Sequence, residues 1–135
     1  MAIVGEATVT GKKGDEALRP DVADYWYTLA MVQYRNGTWQ GSLASLEALK
    51  ARQGGEFGAS DWLLSAMDLY RLNRENEARA AVAKAVEWIE ERRRKAAGNA
   101  LLRMEYELMR PALEALLREA QNLINGEPDD GTRPA

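Results

Sequence analysis

The chain repeats itself at a spacing of 36 residues. Trp26 and Trp62, Ala30 and Ala66, Tyr34 and Tyr70, Arg35 and Arg71, and Gly37 and Asn73 all stand that far apart. Self-similarity at a fixed period of this length restricts a chain to repeat architectures, in which each unit buries its apolar face against the next. Within each copy the apolar residues recur at three and four, the period of one face of a helix rather than of a strand. The copies therefore predict two antiparallel helical hairpins. Ala30 and Ala66 let the two helices of a hairpin approach, and the bulky Trp26 and Trp62 fill the space between successive hairpins.

Punctuation residues set the expected boundaries. Pro20 and the acidic Asp21 and Asp24 open a first helix over 21–36, and Gly37 ends it because glycine takes the left-handed conformation at no steric cost. Thr38 is a suitable N-cap for a second helix over 39–52, striped by Trp39, Leu43, Leu46 and Leu49 and ended by Gly54-Gly55. Ser60 or Asp61 caps a third over 60–72, with Asn73 in the place of Gly37. A fourth over 75–95 buries Ala78, Ala81, Val82, Ala85, Val86 and Ile89 and closes in Arg92-Arg93-Arg94-Lys95 before Gly98. The last helix, 100–124, carries Leu102, Tyr106, Met109, Leu113, Leu116, Ala120 and Leu123 at alternating steps of four and three. Pro111 interrupts its backbone bonding, yet the apolar phase passes through without a slip, so one kinked helix is expected in preference to two. Residues 1–19 show no helical period and read as a flexible leader. Residues 126–135, rich in Pro, Gly and Asp, read as a disordered tail, leaving one helical domain over 20–125.

Composition narrows the chemistry. With 135 residues, 46% of them apolar and 29% charged, the chain suits one globular domain. A net charge of −3 gives no reason to expect nucleic acid as a partner. There is no Cys and no His, which removes thiol and imidazole catalysis, disulfides and Cys/His zinc sites. Glu75, Glu77, Glu87, Glu90 and Glu91 fall on helix faces interspersed with Lys and Arg, and no nucleophile–base pair or phosphate loop accompanies them, so no enzyme activity and no cofactor is expected. No apolar run approaches the ~20 residues that span a bilayer, and the N-terminus lacks a signal-peptide pattern. A soluble, cytoplasmic protein without membrane contact is the default expectation.

Trp26, Leu29, Ala30, Tyr34, Gly37 and Trp39 in the first copy, with Trp62, Ala66, Tyr70, Ala78 and Ala85 in the second, resemble the tetratricopeptide repeat over residues 22–90. Ser42 and Leu49 depart from it where small Ala is usual in the first copy, and in the second Ser65 replaces the Leu and Asn73 the Gly. The resemblance implies an all-α, right-handed solenoid of two hairpins plus a long closing helix. It also implies a concave groove lined by the first helix of each hairpin, at Asp24, Tyr27, Met31, Tyr34 and Arg35, and at Ser60, Leu63, Met67, Tyr70 and Arg71. An apolar or amphipathic peptide is the implied ligand, with Tyr and Met as adaptable contacts and Arg35 and Arg71 as carboxylate anchors. The Lys/Asn clamp that some such repeats use for chaperone-tail peptides is replaced by Tyr27, Met31 and Met67, so those peptides are not expected to bind. Two other readings stand beside this one. The groove is filled by the chain's own last helix, or the stripe over residues 102–123 pairs with a second copy to make a homodimer.

Overall fold

The computed structural model describes residues 22–126; the expected leader and nearly all of the expected tail lie outside them. Five helices follow one another: α1 Val22–Arg35, α2 Trp39–Arg52, α3 Ala59–Arg71, α4 Glu75–Ala97 and α5 Ala100–Asn125. The described residues contain no strand, so this part of the chain is all-α. No helix among them is long and apolar enough to cross a membrane.

The helix ends differ from expectation by a residue or two, for local reasons. α3 is capped by Gly58 rather than Ser60 or Asp61, because the Asp61 carboxylate reaches back one turn and accepts the Gly58 N–H at 2.9 Å. α4 runs two residues past Lys95, its last turns supported by exposed pairs of Glu91 with Arg94 and Lys95, and Gly98 stops it. Asn99 caps α5 by accepting the Leu102 N–H at 3.0 Å, and Gly126 ends it at a φ of 75°. Pro111 stands inside this single helix at an exposed position, its missing N–H removing one backbone bond of the helix.

The two tight turns are matched in their backbone bonding. The Thr38 N–H donates to the Gln33 carbonyl at 2.8 Å, and 36 residues later Arg74 donates to Leu69 at the same distance. Gly37 to Tyr34 and Asn73 to Tyr70 are likewise matched at 3.0 Å. Both turn residues are left-handed, Gly37 at φ 82° and Asn73 at φ 66°. The short links make α1–α2 and α3–α4 two hairpins.

α3 is the centre of the molecule. It packs on α1, α2, α4 and α5, and its buried residues run without a break from Leu63 to Leu69. A helix buried all round needs neighbours all round. Ala30 and Ala66 are fully buried, as the close approach of paired helices requires, while Trp26 and Trp62 are half-buried. α5 packs along α4 and across α3, placing Tyr106, Leu113, Leu116 and Ala120 in one core cluster with Ala30, Leu63, Leu64 and Met67. Each fully buried Leu or Met contributes roughly 1.5–3 kcal/mol through removal from water, so α5 belongs to the core rather than to the periphery.

Candidate functional site

The eight residues expected to line a peptide groove divide by burial. Leu63 and Met67 have no exposed surface, and Tyr34 is nearly closed off. Tyr27, Met31 and Tyr70 are half-buried, with Tyr27 and Met31 packed against the cluster that includes α5. Burial pushes the Tyr27 phenol up to about 12, with the Asp61 carboxylate adding to the shift and a hydrogen bond with Ser60 opposing it. Arg35 and Arg71 are exposed and converge on Tyr34. Their guanidinium carbons lie 5.5 and 6.0 Å from its ring centre, and the Arg71 Nε–H points to its hydroxyl at 3.4 Å.

A carboxylate already sits on Arg35. Its two terminal nitrogens donate to the two oxygens of Glu119 on α5, the Nη2 contact at 2.9 Å. This bidentate geometry is the one in which Arg holds a carboxylate well, and here the carboxylate comes from the same chain. α5 thus reaches α1 through this ion pair, while its main packing is along α4 and across α3. The stripe over 102–123 is turned toward the core: Tyr106, Leu113, Leu116 and Ala120 are buried, and Leu102, Met109 and Leu123 pack against the core. Spacing identified the apolar face of α1 and α3; it carried no information on what lies against that face.

An open groove of about 530 Å³ lies elsewhere, between α2 and α4. Its floor is Leu43, Phe57, Trp62 and Leu69. Ala44, Ala80 and Ala81 line its walls, and their short side chains leave the space open. Charges occupy the rim. Arg74 and Glu77 pair with each other through two contacts of 2.9 Å. Glu47 and Lys84 form no ion pair among the described residues. The Lys50 ammonium lies 5.1 Å from the Phe57 ring centre and 5.6 Å from that of Trp62, and these two rings meet edge to face. Sequence reasoning passed over this groove. The available signal was the alanine-rich start of α4, which places Ala80 and Ala81 where larger residues would have closed the space.

A polar cluster in the interior was also missed. Asp68 is fully buried in α3, and the Ser42 hydroxyl of α2 donates to its Oδ2 at 2.5 Å. Its Oδ1 has no hydrogen-bond partner among the described residues. Burial raises the carboxyl to about 7, with the Ser42 bond acting in the opposite direction. Nearby, Ser45 donates to the Gln33 side-chain carbonyl at 2.6 Å. Asp68 could have been suspected, since it lies four residues after Leu64 on the same helix face.

The remaining charge run is solvated. Arg93 pairs with Glu90, Arg94 and Lys95 pair with Glu91, all exposed, and Arg92 lies over the Trp88 ring at 4.4 Å. The groove between α2 and α4 thus combines an apolar lining with charged residues. Comparison with protein-family models, with curated proteins and with solved structures found no match for the chain.

Proposed function

We propose that this chain is a protein-interaction module with the architecture of a tetratricopeptide-like stack: two hairpins in right-handed succession, closed by α5. The matched turn bonds at Gly37 and Asn73 support the repeat, and the packing of α5 on α3 and α4 supports its role as the closing element. In this reading α5 is the built-in occupant of the face between α1 and α3. A partner segment with one apolar side is received instead in the groove between α2 and α4. The observation that carries the proposal is the division of that groove into an apolar floor and a charged rim. Such a division excludes water beneath a ligand and sets its register at the edges.

The test uses designed amphipathic peptides with one leucine-rich face and acidic, basic or neutral flanks, titrated into isotopically labelled protein. Saturable shifts at the amides of Leu43, Trp62, Leu69 and Ala81 are expected. They should disappear in Ala44→Glu and Ala80→Glu, two exposed positions at which a carboxylate fills the groove without disturbing the core. Shifts centred on Tyr27 and Met31, or no saturable shift with any peptide, would overturn the proposal. The second result would leave a capping module without a separate ligand.

A further inference from the structure

The charges that line the groove between α2 and α4 are unevenly placed along it. Of the five charged lining residues, Arg74 and Glu77 neutralise each other through two contacts of 2.9 Å beside the α3–α4 turn. Lys50, Lys84 and Glu47 remain, and none of them forms an ion pair among the described residues. The two lysines belong to the same end. Lys84 and Trp62 each stand 11 residues from Asn73, so the antiparallel course of α3 and α4 brings them level, and Trp62 is one of the rings beneath the Lys50 ammonium. Resting on the reading of this groove as a docking site, we propose that its partner is an acidic amphipathic segment of another protein. Its apolar side lies on Leu43, Phe57, Trp62 and Leu69, and its carboxylates meet Lys50 and Lys84.

Lys50 makes the sign of the partner matter. It is half-buried, with its ammonium 5.1 Å from the Phe57 ring centre and 5.6 Å from that of Trp62. An aromatic face attracts a cation without neutralising it, so Lys50 is held in position while its charge is still available to an anion. An uncharged apolar segment laid over Phe57 and Trp62 removes water from this ammonium and returns no partner, which costs free energy. A carboxylate at the same place restores a charge-assisted hydrogen bond. A basic segment meets two like charges and finds only Glu47 to pair with. Glu47 and Lys84 are exposed and stay hydrated, so each contributes less than Lys50 and is screened by salt. The groove therefore runs from a cationic end at Trp62 to a self-neutralised end at the turn, and the acidic end of the partner belongs at Trp62.

Three designed peptides test this against the full chain by fluorescence polarisation. They share one leucine-rich face and differ only in carrying two glutamates, two glutamines or two lysines at one end. The glutamate peptide should bind about fivefold more tightly than the glutamine peptide at low salt, the lysine peptide should bind most weakly, and the differences should shrink as salt is added. Lys84→Gln, at an exposed position that leaves the fold intact, should lower the preference for glutamate over glutamine by about twofold, and Lys50→Gln should lower it further. Glu47→Gln should tighten binding of the glutamate peptide. Equal affinity for the glutamate and glutamine peptides, or a preference for lysine, overturns the inference and leaves the groove standing as a docking site. A glutamate preference unchanged in both Lys84→Gln and Lys50→Gln also overturns it, because the carboxylates then bind elsewhere. Absence of saturable binding by all three peptides would remove the docking site itself and this inference with it.

Discussion

Val32 and Asp68 hold the same place in α1 and α3, 36 residues apart, yet Val32 is 50% exposed and Asp68 is completely buried. The apolar residue faces water and the acid faces the core. Met31 and Met67 differ in the same direction, half-buried against fully buried, as do Tyr27 and Leu63. α1 stands at one end of the described helices, with α2 and α3 as its main neighbours, whereas α3 has helices on every side. Positions 36 residues apart therefore do not share an environment. The environment depends on how many neighbours the helix has.

Core truncations should break the equivalence most clearly. Met67→Ala is expected to cost about 2–5 kcal/mol in chemical denaturation. Met31→Ala should cost less than half as much, because its site is open enough to admit water. Equal losses would show that α1 is as enclosed as α3.

The acid gives the next largest effect. Asp68 titrates near 7 in the folded chain, above the ordinary range for an unfolded carboxyl. Below that ordinary range both states are protonated and stability is at its full value. As pH rises from about 4 to about 7 the unfolded chain releases the proton while the folded chain keeps it, so stability falls. Above that it levels off. Asp68→Asn should flatten this slope and stabilise the protein at pH 8 by about 1–3 kcal/mol, with Ser42 still able to donate to the amide oxygen. Val32→Asp, at the equivalent exposed position, should change stability by no more than about 0.5 kcal/mol and add no slope in that window. A slope that persists in Asp68→Asn would place its origin in another group.

The turns should behave alike where the helices do not. Gly37→Ala should cost about 1 kcal/mol, since alanine is strained at a φ of 82°. Gly37→Asn should cost less than Gly37→Ala, reproducing the solution already present at Asn73. The smallest effect belongs to the exposed ion pair that ties α5 to α1. A double-mutant cycle of Arg35→Ala and Glu119→Ala should yield under about 1 kcal/mol, falling further with added salt. A coupling well above that would mean that the pair, rather than the apolar packing of Leu113, Leu116 and Ala120, holds α5 in place.

Much of the secondary structure was legible because its causes are local. Gly37 and Asn73 stop helices through their own backbone preferences, and the uninterrupted apolar phase across Pro111 foretold a single last helix. Errors of one or two residues arose where a side chain acted at a distance along the helix, as Asp61 does at Gly58. The candidate site was less legible. The faces of α1 and α3 were found from their spacing, but the full burial of Leu63 and Met67 follows from the four helices packed around α3, which spacing does not show. The groove between α2 and α4 arises from two helices separated by 22 residues of chain, 53–74, with small side chains along its lining.

By itself, the sequence determined the number and type of the described helices, their approximate limits, and the fact that α1, α3 and α5 each possess an apolar stripe. These follow from periodicity and from single-residue backbone preferences, which act over a few residues. The tertiary structure alone decided which stripe covers which. α5 has two, and only packing showed that the Tyr106–Leu113–Leu116 side is consumed within the chain while the Leu101–Met104–Leu108 side is left outward. Hydrophobic burial is non-directional. It specifies that a stripe must be covered and leaves the choice of cover to chain connectivity, side-chain volume and the helices already in place.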